Sequence, residues 1–226
     1  MVPLSRLTKK QIWNQNSRGY NVNKDIASQL PPAALRNPAV SPWLRSTGIV
    51  LSGSALVAAC AHITLPLWFT PVPLTLGNFA VLLLGLLLAP RMATATLAVY
   101  LAEGALGLPV FAPNSATAGL AHLFGPTGGY LLAYPAAALL ISFLWRRTGR
   151  GFSAALVSTA LGNLFILVCG ASWLAALTHA SARTALTLAV FPFLPGDALK
   201  VAAAAALAFG AARMRRHAME SHRNDV

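Results

Sequence analysis

Long apolar segments separated by short polar or proline-containing stretches dominate the sequence from residue 48 onward. A helix that crosses a bilayer needs about 20 mostly apolar residues, because hydrocarbon offers the backbone no hydrogen-bond partners. The pattern therefore predicts an all-α integral membrane protein with six transmembrane helices. The predicted spans are residues 48–68, 72–89, 93–108, 128–145, 153–174 and 185–212.

The last predicted span contains an interruption. Pro192 and Pro195 lie three residues apart, and Gly196 follows them directly. Proline has no backbone N–H to donate and clashes with the preceding helical turn. We therefore expect the last helix to be broken at these prolines, with a new helix from Gly196 to about Arg213. That helix would be about 26 Å long and would almost cross the hydrocarbon core alone.

The composition favours a membrane protein over a water-soluble one. Hydrophobic residues make up 56% of the chain and charged residues only 10%, whereas about a quarter of the residues of ordinary globular proteins are charged. The mean hydropathy is +0.62. The net charge of +12 does not indicate a nucleic-acid partner, because the basic residues flank apolar segments instead of forming one stripe with interleaved aromatic residues.

The lysines and arginines predict the orientation. Fifteen of the seventeen precede the first span or follow an even-numbered span; the exceptions are Arg183 and Lys200. Because cytoplasmic loops carry an excess of basic residues, both termini are expected to be cytoplasmic, which requires an even number of spans. Residues 1–47 are then a polar, disordered tail (an upstream start codon is the alternative), residues 48–212 the membrane domain, and residues 213–226 a basic cytoplasmic tail.

Two of the five acidic residues, Glu103 and Asp197, lie in or at the edge of predicted spans. An ionised carboxylate in a membrane is costly unless it is paired or hydrated, so each predicts a functional site. Lys200 follows Asp197 by three residues and therefore shares its helix face, and the helix dipole favours an anion in the first turn. The two side chains are expected to face one cavity. Alternatively they only neutralise each other, or Asp197 caps the helix while Lys200 extends to the membrane surface.

The predicted outer loop between spans three and four, residues 109–129, carries no lysine or arginine. It contains small and polar residues, including Asn114, and ends in the Gly-rich segment 125–130 at the start of the next helix. Glycines there allow the backbone to approach a ligand and leave N–H groups available at a helix start. The same segment is equally typical of an ordinary helix start.

Small residues recur at helical spacing along the first predicted span, at Gly48, Ser52, Ala55 and Ala59. Such rows allow another helix to approach closely in a membrane. Chance is the competing interpretation, because alanine is abundant throughout this chain.

No motif in the sequence indicates an enzyme, a metal site or a cofactor. The five histidines and two cysteines do not have the spacing of zinc ligands, and the glycine-lysine loop of ATP-hydrolysing proteins is missing from the sequence. We therefore expect a protein that is not an enzyme, with no catalytic residues, no metal ligands and no cofactor.

Five segments occur in an order and spacing that resemble the BioY family, the biotin-specific substrate-binding (S) components of energy-coupling factor transporters. The resemblance covers about residues 48–212. The segments are Pro-Val-Pro-Leu-Thr-Leu at 71–76, Leu-Leu-Ala-Pro-Arg at 87–91, Gly-Ala-Leu-Gly-Leu-Pro-Val-Phe-Ala at 104–112, Gly-Pro-Thr-Gly-Gly-Tyr at 125–130 and Pro-Gly-Asp-Ala-Leu-Lys at 195–200.

The resemblance implies six helices in a bacterial cytoplasmic membrane and a biotin pocket that faces outward. It also implies docking on a transmembrane coupling protein that is driven by ATPase subunits. Asp197 and Lys200 match the family's binding residues, Tyr130 and Gly128 match through the Gly-Pro-Thr-Gly-Gly-Tyr segment, and Asn114 is a looser match. The intramembrane acid Glu103 completes the predicted substrate-binding set.

Biotin chemistry fits these residue types. Its ureido ring offers two N–H donors, which suit Asp197 and Asn114, and its carboxylate needs a cation such as Lys200, so the two charges are expected at opposite ends of the ligand. The segment Gly77-Asn78-Phe79 departs from the commoner Gln-Thr-Phe of the family. A polar role there requires that Asn78 substitutes.

The coupling face of the family corresponds to the small residues of the first span, where Ala55 and Ala59 are the best placed. The alternative function is a self-sufficient biotin carrier that uses Glu103 or Asp197 as a proton-coupling group. An enzymatic or purely structural membrane protein would bind no ligand tightly. Membrane lipid is an expected partner, and a homo-oligomer is compatible with the sequence.

Overall fold

The computed structural model describes residues 41–113 and 118–224. Among the described residues, one compact unit begins at Arg45. Within the described ranges the fold is mainly helical, with a single pair of short strands. The elements are α1 (Pro42–His62), β1 (Thr64–Leu65), β2 (Leu74–Thr75), α2 (Gly77–Leu87), α3 (Pro90–Ala105), α4 (Leu120–Leu123), α5 (Gly128–Arg147), α6 (Phe152–Thr178), α7 (Ala182–Ala189) and α8 (Leu194–Asn224).

Four of the described helices are long and apolar enough to cross a bilayer: α1, α5, α6 and the Leu194–Ser221 part of α8. Helix α2 has 11 residues and α3 has 16, which corresponds to about 16 and 24 Å. The described chain is therefore a helical membrane fold with four candidate spans. Six complete spans and cytoplasmic termini remain predictions, and the predicted tail up to residue 40 lies outside the described residues.

The connection between the first two predicted spans differs from the expectation. Helix α1 ends at His62, and the chain then forms an antiparallel pair in which Thr64 lies opposite Thr75. Pro66, Pro71 and Pro73 lie in this connection and cannot donate the backbone hydrogen bonds of a helix. The apolar residues between them extended the hydrophobic pattern without forming a helix, so the predicted ends at residues 68 and 72 were wrong.

The predicted interruption near the end of the chain is present. Helix α7 ends at Ala189, and α8 begins at Leu194. Pro195 occupies the first turn of α8, where a missing N–H costs nothing because that group has no helical partner. Helix α8 continues to Asn224 rather than to the predicted Arg213, because the residues beyond 213 include strong helix formers.

Helix α5 is central to the packing and contacts α2, α3 and α6, while α8 packs on α2 and α6. Gly162 and Gly170 of α6 allow the close approach of α5, because a Cβ atom at these positions would overlap Ile141 and Tyr130 respectively. The contact at Tyr130 lies near the start of α5 and the contact at Ile141 near its end. Apolar clusters surround both ends of α5, and each cluster adjoins a cavity.

Candidate functional site

A cavity lies between the first half of α5 and the first two turns of α8, and residues of α1, β2, α2, α3, α4, α6 and the connecting segments complete its wall. Its lining combines aromatic and aliphatic surface with a few polar side chains, as is typical of small-molecule sites. The polar residues are Thr75, Asn78, His122, Thr127, Asp197 and Lys200; the aromatic residues are Tyr100, Tyr130, Tyr134 and Phe193; the others are Ala61, Val72, Pro73, Ala112, Leu131, Ile166 and Leu167.

Asp197 and Lys200 form a buried ion pair in this cavity. Lys200 Nζ lies 3.0 Å from Asp197 Oδ1. Lys200 is only 9% exposed and Asp197 only 3%. Asp197 lies in the first turn of α8, where the helix dipole stabilises its negative charge. The predicted common cavity is therefore present, but the two charges lie side by side rather than apart.

Two asparagines extend from Asp197 as a chain of hydrogen bonds. Asn163 Nδ2 donates to Asp197 Oδ2 at 3.1 Å, and Asn78 Nδ2 donates to Asn163 Oδ1 at 2.6 Å. A carboxylate only accepts hydrogen bonds, so Asp197 requires the amide nitrogen of Asn163 to face it. The oxygen of Asn163 must then accept from Asn78, and this sequence of donors determines the orientation of both amides.

This chain of hydrogen bonds ends at an acceptor atom for which the described residues offer no donor. Asn78 Oδ1 is buried and has no hydrogen-bond partner among the described residues. Leaving a buried polar atom without a partner costs about 1–3 kcal/mol. Because Asn78 also lines the cavity, a donor group of a bound molecule is a candidate partner for this acceptor.

Aromatic side chains hold the cavity wall in place. Tyr130 Oη donates to the Ala189 carbonyl at 2.6 Å, and its ring lies 6.3 Å from that of Phe193. These contacts connect the start of α5 to the interruption between α7 and α8. The Tyr100 and Tyr134 rings stack with their centroids 6.5 Å apart. Because its hydroxyl already donates its hydrogen to Ala189, Tyr130 contributes ring surface to the cavity, and its hydroxyl has no second hydrogen to donate to a ligand.

The structure places two predicted binding residues outside the cavity lining. The Glu103 carboxylate accepts a hydrogen bond from Ser54 Oγ and so connects α3 to α1. Gly128 lies against the Leu123 carbonyl, where a Cβ atom would overlap the backbone. Both residues were candidates because of their positions in the sequence. In the structure, Glu103 joins two helices, and Gly128 allows α4 to pack on α5.

Of three further predicted residues, one lies outside the described residues and two lie on the exposed face of α1. Asn114 belongs to residues 114–117, which lie outside the described residues. Ala55 and Ala59 are exposed on α1, on the face opposite its buried residues. They do not line the cavity, and their contact with another protein stays a prediction.

The sequence interpretation missed Asn163 and gave Asn78 only a conditional role. Asn163 is 6% exposed in the middle of the otherwise apolar helix α6. The argument that marked Asp197, a polar group deep in an apolar segment, also applies to this amide. The pairing with Asn78, however, depends on the packing of α2 against α6, which no local pattern reveals.

Residues 31–217 match the sequence model of the BioY family. This chain belongs to the BioY family. It is 40% identical over 138 residues to the probable biotin transporter BioY of Pyrococcus horikoshii, covering 61% of this chain and 79% of that protein. It is 36% identical over 155 residues to the biotin transporter BioY of Thermotoga maritima, covering 69% of this chain and 88% of that one.

The fold also matches a solved structure, the crystal structure at 2.1 Å of the S-component for biotin from an ECF-type ABC transporter. The TM-score is 0.69 at 26% sequence identity, and the match covers 76% of this chain and 92% of the solved one. Together with the apolar helices, these matches identify a multi-pass membrane protein of a transporter family.

Proposed function

We propose that this chain is the biotin-binding component of a vitamin uptake transporter in the bacterial cytoplasmic membrane. The observation that carries the proposal is the hydrogen-bond chain from Asp197 through Asn163 to the unsatisfied Asn78 Oδ1. It presents acceptors in a largely apolar cavity beside one lysine, and a cyclic urea fused to an apolar ring complements that arrangement.

The ureido group is assigned to the buried end of this polar cluster. Its two N–H groups donate to Asp197 and to Asn78 Oδ1, and its carbonyl accepts from Lys200. The 3.0 Å ion pair supports this assignment over the opposite-ends arrangement expected from the sequence, because Lys200 would have to leave a buried carboxylate to reach the other end of the ligand. Removing one partner of a buried pair is strongly unfavourable.

The remainder of the ligand is assigned to the rest of the lining. The rings of Tyr130, Tyr134 and Phe193 pack on the thiophane ring and the alkyl chain. His122 and Thr127, whose side chains lie 3.3 Å apart, line the cavity on the side of the predicted outer loop and are assigned to the carboxylate. Asn114, in the same loop, stays a proposed contact.

Coupling to ATPase subunits is part of the proposal. The exposed small residues of α1, Ala55 and Ala59, supply a surface on which a helix of a coupling protein can pack closely. A self-sufficient carrier would need no such surface. We therefore assign Ala55 and Ala59 to partner contact and Asp197 to ligand binding.

Uptake of labelled biotin tests this function in cells that lack their own biotin transport. The full chain is expressed alone or together with the coupling and ATPase subunits of a BioY-containing transporter, with Asp197→Asn as the inactive control. We expect ATP-dependent accumulation only with the added subunits. Equal accumulation by the chain alone would refute the ATPase coupling but not biotin binding, and no accumulation in either case would contradict the proposed function.

A further inference from the structure

A second cavity lies at the other end of α5 and α8 from the biotin site. Its polar lining consists of Arg146, Arg150 and Arg215, a set that we call the arginine cavity. Along α5, Arg146 lies twelve residues beyond Tyr134 of the biotin cavity, which corresponds to about 18 Å of helix. The two cavities are therefore separate sites.

The arginine cavity carries positive charge without a matching acid. Among the described residues, its lining includes no aspartate or glutamate, and neither Arg150 nor Arg215 forms an ion pair. Arg146 Nε donates to the neutral Ser142 Oγ at 3.3 Å, and the charges of Arg146 and Arg150 repel each other. A bound anion would relieve this repulsion.

The position of the arginine cavity indicates which kind of anion it takes. Arg146 and Arg150 lie at or just beyond the end of α5, a helix long enough to cross a bilayer, and Arg215 lies in the last third of α8. The buried Trp145 donates its indole N–H to the Gly151 carbonyl at 3.4 Å, and tryptophan is enriched at membrane–water boundaries. The cavity therefore lies at the depth of the lipid headgroups.

The rest of the lining is apolar and suits acyl chains. Leu86 and Leu87 at the end of α2 face Ala208, Ala211 and Ala212 of α8 across the cavity. A site with guanidinium groups on one side and aliphatic surface on the other complements a molecule with an anionic head and a hydrocarbon tail. Arginine binds phosphate oxygens through two parallel N–H groups, and basic pockets between membrane helices are a known form of lipid recognition.

We propose that the arginine cavity binds the phosphate of an anionic phospholipid, with its acyl chains against the leucines of α2 and the alanines of α8. The lipid would stabilise the packing of α2, α5 and α8 at this end of the molecule. Biotin binding plays no part in this proposal, so its test is independent of the proposed function.

Native mass spectrometry of the purified full chain, titrated with phosphatidylglycerol or phosphatidylcholine, tests the proposal. We expect wild type to bind phosphatidylglycerol at least about tenfold more tightly. Each arginine that contacts the lipid phosphate should contribute about fivefold to the affinity. Arg150→Gln with Arg215→Gln should therefore weaken phosphatidylglycerol binding about twenty-five-fold, and phosphatidylcholine binding much less, because the choline cation already offsets the charge of that phosphate. The pair Arg150→Lys with Arg215→Lys, which keeps the charge, should retain most of the affinity and also controls for folding.

The matched control is Arg91→Gln with Arg213→Gln. These arginines are exposed, as Arg150 and Arg215 are, but they lie outside the lining of the arginine cavity, so this variant should bind phosphatidylglycerol like wild type. An equal loss in this control would show that the lipid is attracted by surface charge in general, and it would overturn the proposal.

Displacement of the lipid by millimolar inorganic phosphate would indicate a site for a soluble anion. Unchanged lipid affinity with lost coupling-protein association in the Arg150 and Arg215 variant would assign the cavity to an acidic protein partner instead.

Discussion

Asp197 sets the direction of the hydrogen bonds from Asn163 and Asn78 beside the proposed biotin cavity. Its carboxylate accepts from Lys200 and from Asn163, and Asn163 in turn accepts from Asn78. The cavity therefore offers acceptors at Asp197 and Asn78 and a donor at Lys200. A cyclic urea, which presents N–H, C=O and N–H along one edge, complements this arrangement.

Asn78→Ala removes the unsatisfied acceptor and should weaken biotin binding. A ligand N–H left buried without a partner costs about 1–3 kcal/mol, so the Kd should rise about five- to a hundredfold. Calorimetric titration of the purified variant measures the change. Ser158→Ala is the control, because Ser158 is buried on α6 but does not line the cavity, and it should bind like wild type. An unaltered Kd for Asn78→Ala would refute the assignment.

Lys200→Ala should weaken the binding of biotin and of biotin amide to the same extent, about ten- to a hundredfold for a lost hydrogen bond to a charged group. The amide keeps the ureido ring but has no negative charge, so equal losses place Lys200 at the ureido end. Competition with labelled biotin provides both affinities. A much larger loss for the acid would instead make Lys200 the counter-ion of the carboxylate.

The residues of the site were predictable to different degrees. Asp197 and Lys200 stand out because they are charged within an apolar segment, and the structure places both in the cavity. Glu103 has the same sequence signal but bonds to Ser54. A membrane acid needs a partner, and the sequence does not reveal whether that partner is a ligand or another helix.

At the scale of the elements, helix α1 presents two different faces. Gly53, Ser54 and Val57 are buried against the protein, whereas Ala55 and Ala59 are exposed. The Ser54 hydroxyl donates to Glu103, which fixes the rotation of α1 and therefore the direction of the exposed face. The small residues are thus positioned to meet another membrane helix.

Replacing Ala55 or Ala59 with Phe should abolish association with the coupling subunits while biotin binding stays within about twofold of wild type. A bulky side chain prevents the close helix contact that small residues permit, and neither position lines the cavity. Co-purification of the subunits and calorimetry with biotin provide the two readouts. Val168→Phe, at an exposed position of α6, is the matched control and should keep both properties. Joint loss of both properties would mean that α1 fails to fold.

The predicted helix bounds were accurate where glycines or arginines mark the ends of an apolar segment. The spans predicted at 128–145 and 153–174 correspond to Gly128–Arg147 and Phe152–Thr178, because glycines and arginines delimit them. The connection after α1 was misplaced, because its prolines alternate with apolar residues that resemble a membrane segment. Hydrophobicity shows that a segment avoids water, but Pro66, Pro71 and Pro73 keep this one from forming a helix.

At the scale of the whole molecule, basic residues flank the membrane domain unequally. Fifteen of seventeen lysines and arginines are predicted to be on one side, so reporter fusions at residue 120 and at the C-terminus should report opposite sides of the membrane. Alkaline phosphatase and green fluorescent protein fusions give complementary signals. A control fusion at residue 149, between α5 and α6, should match the C-terminus. Signals from residue 120 and the C-terminus on the same side would refute the six-span topology.

The orientation also relates the two cavities. If residue 120 lies outside, as predicted, the proposed biotin cavity, which His122 of α4 lines, is at the outer end of the molecule. The arginine cavity at the far ends of α5 and α8 then faces the cytoplasmic leaflet, where anionic lipids attract basic residues. Ligand capture and lipid contact would thus occupy opposite ends of one helical unit.

The most direct test of the account is a calorimetric titration of the purified full chain with biotin, repeated on Asp197→Asn. We predict one saturable site per wild-type chain. The variant should bind at least about tenfold more weakly, because an amide at this position puts a donor where the ureido group also donates. The absence of saturable binding to wild type, or equal affinities for the two proteins, would contradict the assignment of this cavity to biotin.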